Sequence, residues 1–97
     1  MDKIHHVAIQ VNNIKTAVKW YTDKFDASLD YEDETWALLK FSNLSLALVM
    51  PDQHPPHFAI ESTNAEAFGK LTKHRDGTAS VYIKDPFGNS VEIIETK

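Results

Sequence analysis

The chain begins with a regular alternation of apolar and polar side chains over residues 4–11. Consecutive side chains of a β-strand point to opposite faces of the sheet, so this alternation predicts a strand with two different faces. One face is wholly apolar, with Val7, Ile9 and Val11. The other face carries His6, Ala8 and Gln10. We expect the apolar face to pack against a helix.

The pattern changes to helical spacing after residues 12 and 13, two asparagines that can cap a helix amino terminus. Apolar side chains then recur every three or four positions, which predicts a helix over about residues 13–25. These apolar positions are Ile14, Ala17, Val18, Tyr21 and Phe25.

A strand-rich stretch follows the predicted helix. Leu29 and Tyr31 indicate a short strand, and residues 35–41 and 44–50 form a predicted hairpin that turns at residues 42 and 43. Three prolines then interrupt regular structure between residues 51 and 56.

The same order of elements then begins again. Residues 57–61 alternate as a strand, and Thr63 with Glu66 has the spacing of a capping box. This motif predicts a short helix to about Lys73 that buries Phe68 and Leu71.

The end of the chain reads as a hairpin. Asp76 and Gly77 indicate a turn, residues 79–84 and 90–95 are predicted strands, and residues 85–89 join them in a turn built by Asp85 and Asn89.

Strand–helix–strand–strand–strand therefore occurs twice, as a repeat of structure rather than of sequence. Module one covers about 4–50, the linker 51–56, and an abbreviated module two about 57–95. We predict a single α+β domain over 1–97. Its two βαβββ modules would form a curled mixed sheet around a cleft, with the helices outside.

The face opposite the predicted helices carries the candidate chemistry. The period of two places His6 on that face of the first strand, His57 on that face of the fifth, and Glu92 on that face of the last. If those faces surround one cleft, the two imidazoles and the carboxylate could converge as a facial triad, which suits iron(II) and related divalent ions. The alternative is that each side chain only occupies a half-exposed sheet face.

Composition and charge exclude several classes of function. Hydrophobic residues make up 42% and charged residues 25%, and the net charge is −4, so the chain has no basic surface for nucleic acid. It contains no cysteine. No run of about 20 apolar residues predicts a membrane span, and no signal peptide is evident. We expect a cytoplasmic protein.

Three stretches of sequence resemble the vicinal-oxygen-chelate superfamily, which includes glyoxalases, bleomycin-resistance proteins and extradiol dioxygenases. The opening strand and helix, with histidine at 6 and the Trp20–Tyr21 pair, are similar to the start of a module of this family. The segment Pro56-His57-Phe58-Ala59-Ile60 matches the start of a second module. The turn Asp85-Pro86-Phe87-Gly88-Asn89 and the following strand with Glu92 resemble the family's closing segment.

The resemblance implies four metal-ligand positions, which fall at His6, Ala47, His57 and Glu92. Ala47 stands where four-ligand glyoxalases usually have a glutamate, which argues against lactoylglutathione lyase activity. The other three positions correspond to those of the extradiol dioxygenases. The resemblance thus implies a divalent metal (Fe, Mn, Zn or Ni, with the identity open) and a homodimer.

Further residues are candidates for substrate contacts. Tyr82 could act as an acid or hydrogen-bond donor, and Gln10 and Glu61 could contact a substrate. Trp36 could contact a substrate or pack in the sheet, because its facing depends on an uncertain strand register. His74 is expected at the end of the second helix, where it would interact with the helix dipole.

Two functions follow from these expectations. One is a metal-dependent isomerase, lyase or dioxygenase that acts on a small oxygen-chelating substrate. The other is a metal-free small-molecule binding protein of the bleomycin-resistance type. A third alternative is an α+β interaction module unrelated to this superfamily.

Overall fold

The computed structural model describes residues 1–96 and divides into two compact units. The first unit is residues 6–56; the second unit joins residues 1–5 to the chain from residue 57 onward. The fold is α+β, with one α-helix, one 3₁₀ helix and eight strands in the described part. In chain order these are β1 (Ile4–Gln10), α1 (Ile14–Lys24), β2 (Ser28–Glu32), β3 (Trp36–Lys40), β4 (Ser45–Val49), β5 (His57–Ser62), the 3₁₀ helix (Ala65–Phe68), β6 (Thr72–Lys73), β7 (Ala79–Lys84) and β8 (Ser90–Glu95).

The predicted order of elements is confirmed, including the abbreviated second module. Helix α1 agrees with the prediction to within one residue at each end. The side chain of Asn13 accepts a hydrogen bond from the backbone N–H of Thr16 at 2.9 Å and caps the helix, as expected for asparagine.

In the first unit, α1 covers one face of a sheet with strand order β2-β3-β4-β1. Strand β1 runs parallel to β4, and the other neighbours are antiparallel. The buried cluster under the helix consists of Ile14, Val18, Ala37, Leu39 and Leu48, with Ile9 and Val11 packed against it. The alternation that assigned Ile9 and Val11 to the helix side is therefore confirmed.

The opposite face of this sheet holds a second cluster of Ala8, Leu38, Ala47 and Val49. Trp36 and Tyr31 pack against it with their rings stacked, 4.5 Å apart at the centroids. The uncertain facing of Trp36 is thereby decided: it lies on the face opposite α1.

The second unit has the strand order β5-β8-β7-β6, in which β5 and β8 are parallel and the other pairs antiparallel. The helix predicted up to residue 73 is wrong. A four-residue 3₁₀ helix ends at Gly69, which has a φ of 148°, and Asn64 rather than Thr63 precedes it without a side-chain cap. Residues 72 and 73 instead pair with β7, because this pairing satisfies backbone hydrogen-bonding groups that a capping motif alone would leave without partners.

The shortened helix leaves part of the second unit's apolar face uncovered. Phe68, predicted to be buried, is 51% exposed, and Phe58 on β5 is 37% exposed. On the other face of β5, His57 and Ala59 are buried. The face that carries the polar chemistry is thus the better protected one.

The turn between β7 and β8 forms as predicted. The Asp85 carboxylate accepts hydrogen bonds from the backbone N–H of Phe87 and of Asn89 and from the Asn89 side chain, at 2.8–2.9 Å. Gly88 supplies the positive φ of 85° that the turn needs. Among residues 1–96, no helix is both long and apolar enough to cross a bilayer.

Candidate metal centre

His57 and Glu92 form the centre of a buried polar cluster in the second unit. Their strands, β5 and β8, are parallel neighbours, and the residue opposite Glu92 is Ala59, two positions after His57. The two side chains therefore point to the same face, where His57 Nε2 lies 3.0 Å from Glu92 Oε1. A carboxylate only accepts hydrogen bonds, so His57 Nε2–H donates to it. Both side chains are almost fully buried.

Ser80 on β7 holds the second oxygen of the Glu92 carboxylate. Its hydroxyl donates to Glu92 Oε2 at 2.5 Å, and Ser80 itself is 1% exposed. The register places Ser80 opposite Ile94 on the same face as Glu92. Each carboxylate oxygen thus has a different partner, which fixes the plane of the carboxylate.

His74 extends this cluster, although the sequence analysis assigned it to a helix end. It follows β6 in a tight turn, where its backbone N–H donates to Thr78 O at 2.7 Å. Its Nε2 lies 2.6 Å from Ser80 Oγ. The one hydrogen of the Ser80 hydroxyl goes to Glu92, so Nε2–H of His74 must be the donor to Ser80.

The charge of Glu92 acts on His74 as well. His74 Nε2 lies 3.5 Å from Glu92 Oε2, and hydrogen bonding and Coulombic attraction to Glu92 raise the pKa of His74, whereas burial opposes the rise. The prediction that His74 interacts with a helix dipole is wrong, because no helix extends to it. The turn at residues 76 and 77 could have indicated a strand before it. In such a strand His74 lies two positions after Thr72, which pairs with Ser80, so His74 and Ser80 share a face.

Tyr82, the candidate acid, lies beside the same pair. It stands directly opposite Glu92 in the register, and its hydroxyl is 3.3 Å from His57 Nε2. Partial burial and the negative charge of Glu92 raise the pKa of Tyr82 far above its ordinary value. The phenol therefore stays protonated and can donate a hydrogen bond, but it is a poor base.

His6 and Ala47 belong to the first unit. His6 is 7% exposed and pairs with Ser45, and Ala8 pairs with Ala47, so His6 and Ala47 share the face opposite α1. Ala47 is buried in an apolar cluster and offers no ligand atom.

The remaining candidates have varied surroundings. Gln10 is exposed, and its side-chain amide donates to the backbone carbonyl of His54 at 3.1 Å, which ties β1 to the linker. Glu61 is half-buried, and its backbone N–H donates to Lys3 O. Trp36 is half-buried against Tyr31. Substrate contacts by these three residues stay predictions.

The chemistry and spacing of the His57–Glu92 pair fit a divalent metal. With metal–ligand bonds of about 2.1 Å, two adjacent ligands of an octahedral ion lie about 3.0 Å apart. The separation of His57 Nε2 and Glu92 Oε1 is 3.0 Å, and a metal held between them would take the place of the Nε2 proton. A ligating carboxylate is commonly oriented by an outer hydrogen bond, and Ser80 supplies one.

The α+β fold, with the order βαβββ in the first unit and a shortened repeat of that order in the second, defines a glyoxalase-like class of fold. The family model of the Glyoxalase/Bleomycin resistance protein/Dioxygenase superfamily matches residues 3–93. The chain belongs to this superfamily, and the resemblance inferred from the sequence is confirmed. A search of curated proteins found no match.

Solved structures of low sequence identity share the fold. The hypothetical protein BH1468 from Bacillus halodurans C-125 is 17% identical, with a TM-score of 0.80, over 99% of this chain and 95% of its own. Methylmalonyl-CoA epimerase from Mycobacterium tuberculosis is 19% identical, with a TM-score of 0.81, over 98% of this chain and 88% of its own. At these identities, the similarity establishes the fold alone.

Proposed function

We propose that the protein binds a divalent metal through His6, His57 and Glu92 and acts on a small substrate that chelates the metal through two neighbouring oxygens. The observation that carries the proposal is the buried His57–Glu92 pair at 3.0 Å. All three residues are buried, and together they offer two imidazole nitrogens and a carboxylate, a set that could hold a metal ion. Such a ligand set leaves coordination positions open for substrate.

A metal bound there would act as a Lewis acid that polarises a substrate oxygen. The chain's own groups have distinct tasks. Glu92 contributes negative charge, and Ser80 keeps the orientation of its carboxylate. Tyr82, protonated at neutral pH, would donate a hydrogen bond to a substrate oxygen, since its hydroxyl lies within 3.3 Å of the proposed ligand atom of His57. This chemistry supports isomerase, lyase or dioxygenase activity.

The proposal is tested by metal content and by melting temperature. Protein purified without chelators should contain a stoichiometric divalent metal, and metal-stripped protein should melt at a higher temperature after addition of Mn²⁺ or, without oxygen, Fe²⁺. At a metal concentration of 100 times Kd, the stabilisation is about 2.7 kcal/mol, or roughly 10–20 °C for a domain of this size.

Single substitutions test which residues bind the metal. His6→Ala, His57→Ala and Glu92→Gln should each lose most of the metal-induced shift. His54→Ala, in the linker, is the matched control for loss of a histidine and should keep it. A wild-type protein that contains no metal and whose melting temperature does not respond to either ion would contradict the proposal.

A metal-free binding protein of the bleomycin-resistance type is the second candidate. It is favoured by one observation: within residues 1–96, every buried side-chain nitrogen and oxygen has a hydrogen-bond partner. The cluster thus needs no ion to satisfy its polar atoms. If metal binding fails, calorimetry against a panel of small aromatic ligands tests this candidate. The homodimer, the cytoplasmic location and the single domain over 1–97 stay predictions from the sequence.

A further inference from the structure

His74 contacts the buried cluster of the second unit but has no role in the metal site proposed above. It is half-buried, it lies outside the residues proposed to touch metal or substrate, and its Nε2–H is directed at Ser80 Oγ at 2.6 Å. Ser80 in turn donates to Glu92 Oε2 at 2.5 Å. These contacts form a directed chain from His74 through Ser80 to Glu92, in which the one hydrogen of the Ser80 hydroxyl goes to the carboxylate.

We propose that His74 is a positioning residue that acts through Ser80 to present Oε1 of Glu92 to the metal. This inference rests on the proposed metal site and deepens it. Without a donor from His74, the Ser80 hydroxyl can rotate and accept hydrogen bonds elsewhere. The Glu92 carboxylate then loses the bond that holds Oε2 in place and can turn about its terminal torsion.

The two-residue strand β6 makes this arrangement possible. Thr72 pairs with Ser80, and the chain turns back through Gly77, whose N–H donates to His74 O at 3.1 Å. The Asp76 carboxylate accepts from the backbone N–H and hydroxyl of Thr78, at 3.0 and 2.7 Å, and stabilises the same turn. The hydrogen bonds of this hairpin thus fix the backbone of His74 next to Ser80.

The test measures the affinity of metal-stripped protein for Mn²⁺ by calorimetry. His74→Leu and Ser80→Ala should each weaken the affinity by about tenfold or more, as is usual when an outer hydrogen-bond partner of a ligand is lost. The double variant should be no weaker than Ser80→Ala alone, because His74 acts through Ser80. Lys73→Ala, an exposed neighbour on β6, is the control and should bind like the wild type.

His74→Gln keeps a neutral N–H donor without the imidazole and should recover most of the lost affinity. Circular dichroism and melting temperature without metal show whether each variant folds. If His74→Leu does not fold, the affinities of His74→Gln, Ser80→Ala and their double variant are compared instead. In that comparison His74→Gln should bind within a few-fold of wild type and should add nothing to Ser80→Ala.

The outcomes separate the two proposals. If wild type binds Mn²⁺ and folded His74→Leu binds it equally well, the inference about His74 is wrong and the metal site stands. Additive losses in the double variant, or a His74→Gln as weak as His74→Leu, also overturn it. If wild type itself does not bind Mn²⁺, the metal site is wrong and the inference falls with it.

Discussion

His57 Nε2 lies 3.0 Å from Glu92 Oε1, although 35 positions separate the two residues in the chain. The parallel pairing of β5 with β8 brings them to one face, and β7 adds Ser80 and Tyr82 to the same face. A buried carboxylate is costly unless it is fully hydrogen-bonded. The cluster gives each Glu92 oxygen a hydrogen-bond partner and brings one of these oxygens within 3.0 Å of an imidazole nitrogen.

The Ser80 hydroxyl should contribute measurably to stability even without metal. Ser80→Ala removes a buried hydrogen bond to a charged group and the acceptor of His74, which should lower the free energy of unfolding by about 2–3 kcal/mol. Urea denaturation of metal-stripped protein measures this loss. Ser28→Ala, on exposed β2, is the control and should change it by no more than about 0.5 kcal/mol. Equal effects of the two substitutions would show that the Ser80–Glu92 bond does not stabilise the fold.

Asp33 should make the first unit sensitive to acid. Burial acts to raise the pKa of Asp33, but hydrogen bonds from the Tyr31 hydroxyl, from the N–H and hydroxyl of Thr35 and from Trp36 N–H lower it from 3.8 to about 2. The folded state therefore holds the proton less tightly than the unfolded state. The resulting stabilisation is present above pH 3.8 and is lost as the pH falls through about 2.

Asp33→Asn should remove that pH dependence. After allowance for solvent screening, we expect about 1–2 kcal/mol less change in the free energy of unfolding between pH 5 and pH 2 than in wild type. Tyr31→Phe, which removes one of the donors, should give an intermediate slope. Denaturation curves at several pH values measure the slopes; parallel slopes for wild type and Asp33→Asn would contradict the assignment.

Leu39 should be a main contributor to the core under α1. Its side chain is 0% exposed within the cluster of Ile14, Val18 and Leu48. Leu39→Ala removes apolar contacts and leaves a cavity, so we expect a loss of about 2–5 kcal/mol. The matched control is Leu29→Ala on β2, where the side chain is 48% exposed, with an expected loss below about 1 kcal/mol. Thermal or urea denaturation distinguishes the two; similar losses would argue against this packing.

The predictions that succeeded rest on local periodicity. Alternation placed Ile9 on the α1 side and Ala8 opposite, and both positions are confirmed. It also placed His57 and Glu92 on a common face. A strand fixes the direction of each side chain within the strand itself, so a one-dimensional pattern carries that information.

The helix predicted over residues 63–73 failed for a related reason. Thr63 and Glu66 have the spacing of a capping box, but Gly69 interrupts the helix and Thr72 pairs with Ser80 instead. Local propensity is a weak preference that strand pairing can override. Without that hairpin, His74 could not be connected to Ser80 and Glu92.

The sequence by itself determined which residue types share a strand face, the extent of α1 to within one residue at each end, and that the chain repeats one order of elements. Only the tertiary structure decided that Ser80 and His74 hold the Glu92 carboxylate and that Tyr82 lies beside His57. Hydrogen bonds require their atoms to lie within about 3 Å, and the register between strands distant in sequence sets such separations. That register depends on packing across the whole sheet, so no local pattern of the chain specifies it.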